Sequence, residues 1–269
     1  MYGDDFDEAA IKRWFVQEES GYFQLAQSYG SYVYSYHALN QLNAFRFLMG
    51  RYPTCLAMGC ARGDDVAPLA AKVDRFVAIE PAEKWWASEI NGTPADYMKP
   101  SIKGAIPLAK ASVDLVVCLG VLHHIPNVTY VFSEMARVLR PGGTMVLREP
   151  ICTMGDWRKP RPGLTANERG FPPGWIDSKA SQWGLQVVRK TYCCFPLTAR
   201  LARLFHLQGT YNSKALVRLD YLMSWLMQWN LHYHRDSVFK KIAPLDIMYI
   251  LRKVEPGLAG ESRGIEKSI

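Results

Sequence analysis

Between residues 54 and 149 the chain carries four short apolar runs, TCLAMG, RFVAIE, DLVVCLG and TMVLRE, separated by stretches of mixed polarity. Apolar runs of this length fit strands buried on both faces. Strands that alternate with helical stretches imply crossover connections and a parallel sheet. The segment before the fourth run predicts a helix over 129–139. There Val131, Phe132, Met135, Val138 and Leu139 share one face, and Pro141-Gly142-Gly143 ends the pattern. That face should pack on the sheet.

The flanks read differently. Residues 1–50 are read as an N-terminal helical lid, with Leu39, Leu42, Phe45 and Met49 at spacings of three and four before Gly50. Ahead of them lies SYGSYVYSYH, rich in tyrosine. A core over 51–194 follows, and its strand-and-helix stretch ends in a loop dense in Pro, Gly and charge, DWRKPRPGLTANERGFPPGW. That loop is too long for a simple connector and is read as a functional loop or lid. A helix over 176–183 and a strand over 185–192 come next. Residues 195–244 form a helical cap insertion, with a stripe of Leu216, Leu219, Leu222, Leu226 and Trp229 expected to pack on the core. A final core strand, 246–253 within 245–255, precedes a polar tail at 256–269 that should fray.

Composition narrows the class. With 269 residues, 49% of them hydrophobic and 21% charged, the chain can bury a core and is not a disordered segment. The net charge of +7 suits an acidic substrate, a membrane surface or nucleic acid. The basic residues are dispersed and no nucleic-acid module is appended, which disfavours nucleic acid. Six cysteines without a C-x-x-C pair argue against a zinc site and a disulfide framework, and for a reduced, cytoplasmic protein. The acidic N-terminus does not read as a secretory signal. No uncharged apolar run approaches the ~18 residues of a spanning helix, which leaves peripheral contact as the only membrane contact in view.

Candidate chemistry gathers at the ends of the apolar runs. The first runs into Gly59-Cys60-Ala61-Arg62-Gly63, where small residues let backbone approach a ligand, and then Asp64-Asp65, read as the cap and start of a helix. The second run ends at Glu80-Pro81, about twenty residues on, where a carboxylate can accept both hydroxyls of a ribose. The third ends at Leu119-Gly120 and leads into Leu122-His123-His124-Ile125-Pro126.

GCARG, Glu80, Asp114, the LHHIP segment and LRPGG, in this order, make residues 53–150 resemble a class I S-adenosylmethionine-dependent methyltransferase of the type 11 group. The resemblance implies a Rossmann-like, seven-stranded methyltransferase sheet. It implies S-adenosylmethionine as cofactor, held by Gly59, Cys60, Ala61, Gly63, Glu80, Pro81, Leu119 and Gly120. The chain has Ala57 and Ala61 where the family commonly has an acid and a glycine. Ile102 and Lys103 stand where an aspartate for adenine is usual, so another group must hold that ring.

Methyl transfer is an in-line displacement, so the protein must align an acceptor and, for an alcohol, help remove its proton. His124, His123 and Glu149, past strand ends where open α/β sheets place their sites, are the expected catalytic cluster. The expected acceptor is a small molecule, with a sugar or saccharide-linked unit favoured. Trp157, Arg158, Lys159, Arg161 and Trp175 in the long loop would suit a phosphate- or sugar-bearing substrate. A lipid- or quinone-like acceptor is the alternative, and a silent binding protein on the same fold is the rival from another class.

Overall fold

The computed structural model describes residues 1–28, 34–156, 159, 161, 163–205 and 209–255, with side chains of the first helix described as far as Glu18. Trp157, Arg158, the tail at 256–269 and part of the tyrosine-rich stretch lie outside the described residues. Eight strands form one sheet: β1 (Tyr52–Met58), β2 (Val73–Ile79), β3 (Glu89–Ile90), β4 (Thr93–Met98), β5 (Val113–Leu119), β6 (Leu139–Pro150), β7 (Leu185–Cys193) and β8 (Asp246–Lys253). Their order is β3-β4-β2-β1-β5-β6-β8-β7. The strands from β4 to β6 run parallel, while β8 is antiparallel to both β6 and β7. This is the expected seven-stranded sheet with one addition: the two-residue β3 pairs antiparallel with β4 at the edge.

Buried strands need apolar residues on both faces, and β5 has them throughout: every residue from Val113 to Leu119 is buried. Asp114 is tolerated there because its carboxylate accepts Thr54 N–H at 2.7 Å and pairs with Arg140 at 2.7 Å, linking three strands at their start. At the other end the register aligns Met58 with Ile79 and with Cys118, and Leu119 with Arg148. Residues just past those positions therefore share one rim.

The helices are α1 (Glu8–Ser28), α2 (His37–Asn43), α3 (Val128–Val138), α4 (Trp175–Gln182), α5 (Pro196–Leu204) and α6 (Lys214–Leu226). Helix α3 meets its expectation. Val128, Val131, Phe132, Met135 and Val138 are buried against β5 and β6. The other crossovers differ from the reading. After β1 there is a turn and then a 3-10 helix, Ala67–Lys72, with no side-chain cap, so Asp64 caps no α-helix. After β2 there is only a 3-10 turn, Glu83–Trp85. Pro68 suits the first turn of a helix, but an apolar stripe too short to span the sheet leaves nothing to stabilise a longer one.

The cap departs further. Helix α6 turns Val217, Asp220 and Ser224 inward, while Leu219, Leu222, Leu226 and Trp229 are exposed. The expected stripe thus faces away from the core. The cause is Asp220: its carboxylate accepts the N–H groups of Cys194 (2.9 Å) and Phe195 (2.7 Å) where β7 ends and α5 begins. Those donors have no other partner in a buried turn, and satisfying them outweighs burying leucines that water only moderately disfavours. Met49 is likewise exposed, although Leu39 and Phe45 are buried. All six cysteines are buried and unpaired. Among the described residues no helix is long and apolar enough to cross a membrane.

Candidate active site

Past the aligned strand ends lies a cavity of about 620 Å³. It is lined by Gly59, Cys60, Ala61, Glu80, Pro81, Leu119, Gly120, His123 and His124 from the sequence reading, and also by residues that reading did not single out. Gly63 and Glu149 do not line it.

At the glycine turn, Gly59 and Gly63 adopt φ of +58° and +84°. A Cβ at Gly59 would lie 2.6 Å from Val121, and one at Gly63 would lie 2.5 Å from Ile90. Both glycines therefore answer to packing as well as to backbone conformation. Ala61 also sits in the left-handed region, at +48°, which costs an L-residue about 1 kcal/mol. Two hydrogen bonds hold it there: its N–H donates to Glu80 Oε2 at 3.0 Å, and Tyr97 Oη donates to its carbonyl at 2.9 Å. Of the turn's other N–H groups, that of Gly59 donates to Ile79 O and that of Gly63 to Cys60 O. The α-helix expected to present its N-terminus here is replaced by the later 3-10 helix. Burial pushes the Cys60 thiol well above the ordinary range, which makes it a packing residue rather than a nucleophile.

Glu80 is buried, and its Oε1 accepts Ala82 N–H at 3.0 Å. Glu80 lines the cavity, and a carboxylate is the acceptor that a vicinal diol's two hydroxyls require. Beyond Glu80, Trp85, Pro100 and Gly104 line the same end of the cavity. The Lys103 carbonyl is taken by Asn127 at 2.8 Å. Asp65, also lining the cavity, is buried with Oδ1 lacking any hydrogen-bond partner, and burial raises its carboxyl to about 7. The residues present thus fit a ligand that carries a vicinal diol, as S-adenosylmethionine does.

The opposite end is built by the histidines. Glu149 is fully buried and accepts the N–H groups of Val121 (3.0 Å), Leu122 (2.8 Å) and His123 (3.3 Å), with His123 Nδ1 at 2.7 Å. It braces the histidine turn from behind. For His123, burial pulls the imidazole down, but the Glu149 hydrogen bond and charge outweigh it and the net shift is upward. His124 is a quarter exposed, its ring 4.1 Å from that of His123. Its Nδ1 lies 2.7 Å from Glu18 Oε2, and its Nε2 lies 4.0 Å from Glu168 Oε1. Glu18 also accepts Thr165 Oγ1 and Asn167 N–H. Burial acts against its charge, yet these bonds hold it below the usual carboxylate range. An ionised Glu18 only accepts, so it favours the imidazole with its proton on Nδ1 and leaves Nε2 as the basic nitrogen.

Several anchors fix this cluster. Trp14 Nε1 donates to His124 O at 2.6 Å, and Arg169 donates to the carbonyls of Tyr2, Ile125 and Pro126. The N-terminal helix and the long loop are thereby tied to the histidine turn. Arg161 is spent inside that loop on the carbonyls of Met154, Glu168, Thr165 and Ala166. Trp175 stacks on Phe171 at 4.9 Å. Neither residue lines the cavity.

A third wall carries Arg148, Asp246, Tyr34, Tyr36 and Tyr211. Arg148 is buried 4.0 Å over the Tyr36 ring and donates to Asn40 Oδ1 at 3.3 Å, with Asp246 at 3.8 Å. Glu18, Glu168 and Arg148 are the residues the sequence reading missed, and Asp65 was read only as the start of a helix. Arg148 had a visible signal, a charge inside an otherwise apolar run. Glu18 and Glu168 had none, because only folding brings them to His124.

Residues 56–147 match the family model for a methyltransferase domain. Together with the sheet, this identifies the segment as a class I methyltransferase domain of the type 11 group. Among curated relatives, a ubiquinone biosynthesis O-methyltransferase of Xanthomonas euvesicatoria pv. vesicatoria is 30% identical over 83 residues, 31% of this chain and 30% of the relative. The chain spans about a third of the length of the first curated relatives it matches. Among solved structures, an S-adenosylmethionine dependent methyltransferase from Mesorhizobium loti superposes with a TM-score of 0.51. It has 15% identity, over 76% of this chain and 92% of that one. The cyclase SpnF superposes with 0.53 and 15% identity, over 81% and 80%. At such identities the structural likeness establishes the fold alone.

Proposed function

We propose that this chain is an S-adenosylmethionine-dependent O-methyltransferase for a small hydroxyl-bearing acceptor with an apolar body. The observation that carries the reading is that one cavity joins a diol receptor, Glu80, to an acid-oriented histidine, His124 with Glu18. When bound, S-adenosylmethionine supplies an electrophilic methyl group on a sulfonium centre. Glu80 would hold the ribose hydroxyls, with Asp65 beside it on the cavity wall, and the Gly59–Ala61 turn would form the floor. Trp85, Pro100 and Gly104 take the adenine edge in place of the usual acid.

His124 Nε2 accepts the acceptor's hydroxyl proton, and Glu18 holds the ring in the required tautomer and stabilises the imidazolium that forms. Glu149 positions the turn that carries both histidines. The N-terminal helix closes the cavity with Phe15 and Glu18, which supports reading residues 1–50 as a lid. The acceptor end, with Phe15, Leu164, Met154, Tyr34 and Tyr36, suits an aromatic or aliphatic body better than a sugar. Of the loop cations that favoured a saccharide, Arg161 is used inside the loop, Lys159 is exposed and does not line the cavity, and Arg158 lies outside the described residues. The relative named for ubiquinone biosynthesis and O-methylation supports an oxygen acceptor of this kind.

A catalytically silent binding protein is favoured by one observation, the turn and 3-10 helix that replace the helix after the glycine turn. Turnover separates the two. With a phenolic or isoprenoid-alcohol acceptor, His124→Ala should lower kcat about 10²- to 10⁴-fold, and Glu18→Gln about tenfold or more, with cofactor affinity nearly unchanged. Activity within about threefold of wild type in both variants would reject general-base catalysis and leave alignment alone.

A further inference from the structure

The cap insertion is built inside out. Helix α6 fastens itself to the protein through a carboxylate, Asp220, and shows water a face with Leu222, Trp225 and Leu226 each about half exposed. The neighbouring helix α5 ends in Leu204 and Phe205, which are 70% and 67% exposed. Beyond α6, the exposed rings of Trp229 and Phe239 meet at 5.9 Å. Spacings of three and four along α6 put its apolar residues in one stripe, a pattern that in water has only cost unless something covers it.

The charge on the same segment says what covers it. Residues 196–241 hold seven lysines and arginines against two aspartates. One of the aspartates is the buried Asp220, and the other, Asp236, is paired with Lys240 at 2.9 Å. Arg200, Arg203, Lys214 and Arg218 are exposed, and none of them enters an ion pair among the described residues. The segment thus carries a net +5, out of +7 for the whole chain. Apolar side chains with tryptophan at the level of unpaired arginines and lysines are the composition of a helix lying in a lipid interface. A second copy of this chain would bring the same positive field onto itself, which opposes self-association through this face.

We propose that the outward face of α5 and α6 docks on an anionic lipid surface. Leu222, Trp225, Leu226 and Phe205 enter the headgroup boundary, and Arg200, Arg203, Lys214 and Arg218 lie among the lipid phosphates. The segment between the two helices contributes Tyr211 to the cavity wall, so the docked face and the acceptor cavity share one structural unit. The proposal stands independently of which acceptor is methylated.

Co-sedimentation of the full chain with vesicles tests it. Vesicles of phosphatidylcholine with about one third phosphatidylglycerol should retain the protein, and phosphatidylcholine alone should retain at least about tenfold less. Raising the salt to about 0.5 M should weaken binding, because the screening length falls well below 10 Å. Trp225→Glu with Leu226→Glu should lower vesicle affinity about tenfold or more. Arg200→Glu with Arg203→Glu should remove the preference for anionic lipid. All four side chains are exposed, so circular dichroism should be unchanged. Independently of any variant, brominated lipids should quench tryptophan emission of the wild-type chain. Absence of binding to anionic vesicles at low salt would overturn the proposal. So would undiminished binding of the Trp225→Glu/Leu226→Glu variant, or a solution dimer that this variant dissociates.

Discussion

Helices α3 and α6 carry similar amphipathic patterns and face opposite ways. Both place apolar residues at spacings of three and four, yet α3 buries Phe132 and Met135 against the sheet while α6 buries Asp220 and exposes Leu222 and Trp225. Helix α3 crosses between two parallel strands, so chain connectivity presses one of its faces onto β5 and β6. Helix α6 is free of that constraint. It is oriented instead by two orphan N–H groups at the start of α5, which only a buried carboxylate satisfies. Periodicity specifies a helix with two faces, and the partner each face meets decides which one turns inward.

The comparison breaks if the apolar face of α3 proves dispensable. Phe132→Ala should cost about 3 to 5 kcal/mol in chemical denaturation, the range for emptying a well-packed aromatic site. At α6 the corresponding loss belongs to a polar residue: Asp220→Ala should cost about 2 kcal/mol, because two buried donors lose their acceptor. Burial raises the Asp220 carboxyl to about 7, above its unfolded value near 4, so the folded protein binds the extra proton. Its contribution to stability is therefore greatest at low pH and falls as pH rises from about 4 to 7. Asp220→Asn should flatten that part of the stability profile relative to wild type, and an identical profile would contradict the role. The smallest effect is expected on the outward face, where Trp225→Ala should change stability by less than about 0.5 kcal/mol. A loss comparable to that of Phe132→Ala would mean that Trp225 is buried.

The same contrast explains what the sequence disclosed. Strands β1, β2, β5 and β6 were legible because buried parallel strands must be apolar throughout, and β8 as the last apolar run before the polar tail. Glu80 and His124 were legible as positions relative to those strands. The missing helix after the glycine turn was not, since Asp64-Asp65 is as good a start for a turn as for a cap. Glu18 and Glu168 were illegible for a different reason. They lie 106 and 44 residues from His124 in the chain, and neither spacing carries a periodic signal. Tyr34, Tyr36 and Tyr211 are an intermediate case: the first two belong to a conspicuous tyrosine-rich stretch, but only the fold shows Tyr36 stacked on Tyr211 at 5.2 Å beside Arg148.

The site at the rim of the sheet rests on one carboxylate. Calorimetric titration of S-adenosylhomocysteine into the wild-type chain and into Glu80→Ala tests it most directly. The account predicts saturable binding by the wild type and roughly 10- to 100-fold weaker binding by Glu80→Ala, the loss expected when hydrogen bonds to a charged group are removed. Equal affinity in the two proteins, or no heat from the wild type at millimolar ligand, would contradict it.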